Sequence, residues 1–157
     1  SDAMRMKCTA RKEGNEWILN GTKCWITHGI SSDVLVAIVR TGELLDSKGM
    51  TAFVIERGTP GLKAGKKENK LGIRASGTCT VRLDNVKVPK WQIVGELGKG
   101  YKIAIEILNE GRIGIASQML GLAKGAFEKT MPFLFQRRQF DTNIGDFQVP
   151  SLHCRFI

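Results

Sequence analysis

Cysteine is too sparse here to build a disulfide framework. Cys8, Cys24, Cys79 and Cys154 form no C-x-x-C pair and stand near no His-x-x-x-His, so free thiols in a reducing compartment are expected and a structural zinc site is not. Histidine is scarcer still: His28 and His153 have no Ser or Cys partner at a recommending distance, which leaves a hydrolytic triad without support. No apolar run is long enough to cross a bilayer. Basic runs are missing too: Lys and Arg outnumber Asp and Glu by 24 to 15, but the excess is scattered as single residues and doublets such as Lys66-Lys67 and Arg137-Arg138. That pattern argues for a solvated surface or a phosphorylated small molecule rather than nucleic acid. Ser1-Asp2-Ala3-Met4 lacks the layout of a signal peptide, and the chain opens directly on strand-like alternation. It reads as a piece cut from something longer, so absent targeting residues carry no information about location.

What remains is enough for a core. Hydrophobic residues make up 42% of 157, sufficient for one packed domain, or one domain plus part of another.

Residues Met4 to about Pro89 read as short strands punctuated by turns, with no helix among them. Met4–Arg11 leads through Glu13-Gly14-Asn15 to Trp17–Leu19, and Asn20-Gly21 reads as a second turn before the stretch around Trp25. Val34–Val39 is apolar throughout, as in a strand covered on both faces; Met50–Glu56 follows a loop. Thr59-Pro60-Gly61 is a turn and the lysine-rich Ala64–Arg74 a solvated loop. Thr78–Leu83 and Val86–Pro89 flank a turn at Asp84-Asn85. Seven or so such strands imply an antiparallel barrel or sandwich. From Lys99 to about Gln139 the apolar spacing becomes three and four, which predicts one long helix or two in line, with Gly111 and Pro132 as weak points. Gly98 and Gly100 form a lone G-x-G just before it, better read as a turn into the helix than as a phosphate cradle. The expected class is therefore a mainly β barrel followed by a long α-helix, α+β as a whole.

Three places hold candidate chemistry. Trp25 and Thr27 lie on one side of a strand by alternation, an aromatic plane with a hydroxyl tip suited to a flat redox-active ring; the alternative is an ordinary core tryptophan. Asn109, Glu110 and Arg112 interrupt an apolar helical stretch, and Arg112 needs either a ligand or an ion pair with Glu110 or Glu106. Arg137-Arg138-Gln139-Phe140 offers fork-shaped cations and a ring, for phosphate and adenine or simply for a helix carboxyl end.

These residues together resemble the acyl-CoA dehydrogenases, most closely the short/branched-chain (2-methylacyl-CoA) members. Ser1-Asp2 is similar to the end of the family's A-G-S-D signature, Trp25-Ile26-Thr27 to its W-I-[ST] flavin platform, and Glu68–Ser76 to its E-x-K-x-G-x-R-x-S loop. Asp84–Pro89 resembles the strand before the helix, Asn109-Glu110-Gly111-Arg112 the substrate-side helix, and Arg137–Phe140 with Phe147-Gln148 the R-x-x-F…Q element. The matches keep the family's order from Ser1 to Gln148.

The resemblance implies FAD as cofactor and desaturation of a short or branched acyl-CoA, with an α-proton taken by a base and hydride passed to the flavin. It implies that Ser1, Trp25, Ile26, Thr27, Arg137 and Gln148 contact FAD, and that Ser1, Ser47, Tyr101, Asn109, Glu110, Gly111 and Arg112 line the acyl-CoA site. It also implies a tetramer, electron-transfer flavoprotein as electron acceptor, the mitochondrial matrix, and a role in fatty-acid and branched-chain amino-acid catabolism. The implied domains are a β-barrel over 1–97, the first helix or two of a helical domain over 98–148, and a divergent tail over 149–157. Departures are equally specific. No residue takes the family's catalytic base: the base position of isovaleryl-type members, just before the helix Arg, is Gly111, and Glu110 is one residue off. Asp141 stands where the family has Gly, and Val149–Ile157 follows no family pattern. The 157 residues alone are therefore expected not to turn over, and the helix to self-associate through its apolar faces. Rival readings are an acyl-CoA oxidase or glutaryl-type relative, and a non-catalytic flavin- or CoA-binding or assembly fragment.

Overall fold

The computed structural model describes residues 2–148, so Ser1, His153, Cys154 and the tail over 149–157 lie outside the described residues. It divides into two compact units, Ser1–Ile107 and Leu108–Ile157.

The first unit is built on seven strands: β1 (Thr9–Glu13), β2 (Glu16–Thr27), β3 (Val34–Arg40), β4 (Met50–Glu56), β5 (Leu62–Lys67), β6 (Thr78–Pro89) and β7 (Ile93–Val94). Alternating and β-branched residues dominate them, as a half-buried pleated surface requires. Their order is β5-β6-β2-β1-β3-β4-β7, antiparallel except for one parallel pairing, Thr9 with Arg40, which joins β1 to β3. The sheet is not closed as a barrel. Among the described residues β5 and β7 are edges with a neighbour on one side only, and their composition explains why. β5 exposes Lys63, Lys66 and Lys67, charges that keep an edge from pairing further, and β7 is two residues long.

The core nonetheless draws on both halves of the sheet. Trp17, Leu19, Leu83, Val86 and Val88 come from β2 and β6, and Ala37, Val39, Phe53 and Ile55 from β3 and β4. Trp17 and Phe53 meet across this contact with ring centroids 5.8 Å apart and planes tilted by 57°. Such a tilted pair is the geometry that aromatic quadrupoles favour.

Two expected turns are irregularities inside long strands. Asn20-Gly21 is no turn: β2 runs through it. The register against β6 slips between Leu19 and Gly21, with the single residue Asn20 facing Asp84 and Asn85. Asn85 takes the left-handed φ of 52° that asparagine tolerates, its N–H donates to Asn20 Oδ1 at 2.9 Å, and Asn20 Nδ2 donates to Asn85 Oδ1 at 3.2 Å. Asp84-Asn85 is thus a bulge within β6. Gly21, at φ 133°, leaves room for Cys8, whose Cα would stand 2.8 Å from an added Cβ. Part of the expected solvated loop, Ala64 to Lys67, belongs to β5, and Met4–Arg11 opens with a 3-10 turn over Ala3–Arg5 before β1.

Helix α1 (Gly100–Gln136) is one unbroken helix, starting in the first unit and continuing in the second. Gly111 and Pro132 do not divide it. Pro132 sits in the last turns of the helix, and the pairs Lys102–Glu106 and Lys124–Glu128 each join side chains one turn apart. After it come β8 (Arg138–Gln139) and β9 (Thr142–Asn143), a two-residue hairpin whose turn residues Phe140 and Asp141 have φ of 51° and 58°. Positive φ at both places is the hairpin geometry that favours glycine, and Asp141 meets it as one of the residues that tolerates it.

The G-x-G before α1 is a packing device. Gly98 donates its N–H to Thr51 Oγ1 at 3.0 Å, and a Cβ on Gly100 would stand 2.8 to 2.9 Å from the backbone of Thr51. Gly100→Ala should therefore cost about 2 kcal/mol, since backbone rather than a flexible side chain must yield. A lowered urea midpoint at unchanged slope is the expected readout.

Candidate functional site

The most unusual backbone in the sheet lies where the flat aromatic was anticipated. Between Lys23, paired with Val81, and Ile26, paired with Cys79, β2 has Cys24 and Trp25 against the single residue Thr80. That is a two-against-one β-bulge. Trp25 has φ of 58°, costly for a bulky side chain, and its indole is 67% exposed. It is not a core tryptophan. Alternation along the strand does not set its direction either, because the bulge resets the pleat; Thr27 is exposed beside it and Ile26 half-buried between them. After Thr27 the chain turns at His28, whose N–H donates to Gly77 O at 2.7 Å and whose carbonyl accepts from Ser31 and Ser32. β5 bulges at the same place: Gly65 and Lys66 also face Thr80. Thr80 of β6 thus lies between bulges on both of its neighbouring strands.

The loop over Glu68–Ser76 is stapled by its own cations. Lys70 Nζ donates to Ser76 O at 2.8 Å and to Thr78 Oγ1 at 2.9 Å, and Arg74 Nη1 donates to Asn69 Oδ1 and to Lys70 O, both at 2.7 Å. Ser47 begins an exposed 3-10 turn capped by Asp46, whose Oδ1 accepts from Lys48 N at 2.9 Å. Gly98 packs on Lys48, so the first unit brings this turn and the start of α1, with half-buried Tyr101, into one neighbourhood.

In the second unit Asn109, Glu110, Gly111 and Arg112 are exposed on α1. Arg112 pairs with neither Glu110 nor Glu106. Its Nη1 donates to Asn109 Oδ1 at 3.1 Å, while Glu106 sits with Lys102 at 3.8 Å. Arg137 and Gln148 are exposed too, and Arg138 donates to Asp141 O across the hairpin. Among the described residues no cluster of His, Cys, Asp and Glu could hold a metal ion, and no helix is long and apolar enough to cross a membrane.

Lys23 went unremarked in the sequence, where a lone lysine in a strand gives no signal. Its ammonium reaches inward to donate to Ile38 O at 2.6 Å, and burial lowers its pKa below 10.5, with Cys8 opposing the shift. Folded Lys23 releases its proton before unfolded Lys23 does, so between those two points the unfolded chain binds more protons and stability rises with pH. Lys23→Met should lose that rise as pH approaches 10.5, as urea unfolding across the alkaline range will show.

Residues 1–86 match the family model for the acyl-CoA dehydrogenase middle domain, and residues 98–154 that for the acyl-CoA dehydrogenase C-terminal domain. This chain belongs to the acyl-CoA dehydrogenase family. Among curated acyl-CoA dehydrogenases it is 53% identical, over 94% of its length and 36% of the relative's, to a probable short/branched chain specific acyl-CoA dehydrogenase of Dictyostelium discoideum. It is 49% identical, over 94% of its length and 34% of the relative's, to the mitochondrial short/branched chain specific acyl-CoA dehydrogenase of Bos taurus. Among solved acyl-CoA dehydrogenase structures, butyryl-CoA dehydrogenase from Megasphaera elsdenii superposes with a TM-score of 0.92 at 39% identity, covering 99% of this chain and 41% of that one. The chain thus spans about a third of the length of the curated acyl-CoA dehydrogenases it matches.

Proposed function

We propose that the chain forms the sheet and the first long helix of an FAD-dependent enzyme that introduces an α,β double bond into a short or branched-chain acyl-CoA. The observation that carries this is the exposed Trp25, held on a strained bulge two residues before the exposed Thr27, in a chain of this family. An unsatisfied aromatic plane on a rigid support is what a flat ring system needs for stacking, and Thr27 Oγ1 suits the ring's polar edge. When bound there, FAD would supply the hydride acceptor. Trp25 and Ile26 would hold its ring, and Ser1, Arg137 and Gln148 are further proposed contacts. Ser47, Tyr101, Asn109, Glu110, Gly111 and Arg112 are the proposed acyl-CoA residues; a donor on the thioester carbonyl would acidify the α-C–H.

We infer further that the sheet closes as a barrel in the assembled enzyme, that 1–97 forms a middle domain and 98–148 a helical domain, and that the enzyme is a tetramer of the mitochondrial matrix that acts in branched-chain catabolism with electron-transfer flavoprotein as acceptor. The mitochondrial name of the bovine relative supports the compartment. Ile107, Leu108, Ile113, Met119, Leu120 and Leu122 are exposed on α1, which supports association through the helix.

The test is a titration of the 157-residue chain with FAD, following indole and flavin fluorescence together. Saturable quenching of both is expected. Quenching that never saturates would remove the platform from the proposal.

A further inference from the structure

Lys23 stands between two cavities of opposite character. On one side is an apolar pocket of about 40 Å³ that Leu35, Val36, Ile55, Leu62 and Leu83 help line; on the other is an open cleft of about 420 Å³ lined by Arg5, Lys7, Cys8 and Cys24 among others. Lys23 and Ile26 are the two residues common to both. We propose that Lys23 is an acyl acceptor: a short acyl thioester lodges its chain in the apolar pocket and its thiol-bearing part in the cationic cleft, and the Lys23 amine takes the acyl group as an amide.

The chemistry balances without a further reagent. The lone pair of the neutral amine attacks the thioester carbonyl carbon, the C–N bond forms, the C–S bond breaks and the thiolate leaves, collecting the proton that the nitrogen releases. Geometry supplies three of the requirements. The pocket holds about three water-sized groups, room for a short chain and not a long one. The hydrogen bond from Nζ to Ile38 O, 2.6 Å, fixes the nitrogen while leaving its lone pair available once neutral. Arg5 and Lys7 place positive charge where a phosphate-bearing leaving group would lie, though Arg5 also pairs with Asp2 at 3.2 Å. Burial supplies the fourth, since it raises the share of free amine at a given pH. Cys8 and Cys24 are the other titratable groups facing the cleft beside Arg5 and Lys7, and no carboxylate lines either cavity. The proposal rests on the acyl-CoA reading only for the presence of thioesters around the protein, and a supplied thioester tests it independently of FAD binding.

The experiment incubates the 157-residue chain at pH 8 with butyryl-CoA, in the absence of FAD, and follows acylation of each lysine by peptide mass spectrometry. Lys23 should react several-fold faster than the exposed Lys12, Lys63 and Lys87, since each unit of lowered pKa gives about tenfold more free amine, partly offset by its weaker nucleophilicity. The preference should vanish in urea and with octanoyl-CoA, whose chain exceeds the pocket. Equal rates at Lys23 and Lys63 in the folded chain, or a preference surviving urea, would overturn the assignment.

Discussion

Arg40→Met should unfold the first unit more readily by about 3 to 5 kcal/mol, the largest stability loss expected of any single substitution here. Arg40 is 7% exposed, and among the described residues its hydrogen-bond partners are backbone carbonyls, none of them a carboxylate. Its charge is solvated by backbone. Nε and Nη2 donate to Met6 O at 3.3 and 3.2 Å, Nη1 to Glu43 O at 2.6 Å, and Nη2 also to Met4 O. Methionine fills similar volume but strands those carbonyls, each of which must then find water or go unpaired. Lysine would keep the charge and reach fewer of them, so Arg40→Lys should recover only part of the loss. Chemical denaturation of the three proteins at pH 7 gives the comparison. A loss below about 1 kcal/mol for Arg40→Met would mean that the segment around Met4 and Met6 is not held by this side chain.

Trp25→Ala should weaken FAD binding by about ten- to a hundredfold, equivalent to 1.4 to 2.8 kcal/mol, while leaving the sheet folded. The two halves of that expectation have one cause. An indole 67% exposed contributes little to the core, so its removal costs little stability, and alanine at φ 58° is still strained but carries no ring. Trp25→Phe should keep most of the affinity, because a smaller plane still stacks. Flavin fluorescence titration against wild type measures the effect. An unchanged dissociation constant with a folded variant would move the ring-binding surface away from Trp25.

Much of this was legible in the sequence, and the failures have a common physical origin. Strand identity in β1, β3 and β4 followed from alternation and apolar runs, and α1 from its spacing. What misled was local turn chemistry read as chain reversal. Asn20-Gly21 and Asp84-Asn85 have the composition of hairpin turns, yet they sit across from each other and satisfy one another through Asn20 and Asn85, so both strands continue. Only the pairing partner, far away in sequence, decides between turn and bulge. Of the two alternatives the spacing left open, one long helix or two in line, the single helix holds, and Pro132 lies within its last turns. At the candidate site, residue types announced Trp25 and Thr27. The bulge that exposes the indole did not show, since it depends on register against Thr80. Lys23 was invisible because its partner, the carbonyl of Ile38, comes from another strand.

Among the described residues the parallel pairing of Thr9 with Arg40 is the one ladder contact between β1 and β3, with the Arg40 N–H donating to Cys8 O at 2.9 Å. On one side of it, β3 and β4 are neighbours in sequence and can pair early at small entropic cost. On the other, β2 must find β6, aligning Glu16 with Pro89 and Thr27 with Thr78, a slow search between distant segments. The local β3–β4 hairpin is therefore expected to form before the distant β2–β6 pairing, and until that pairing forms the inner face of β3–β4, with Val39, Phe53 and Ile55, lacks its cover. Nascent molecules would be most vulnerable to aggregation at that stage, and a chaperone that shields the hairpin face would raise yield more than one acting on the helix.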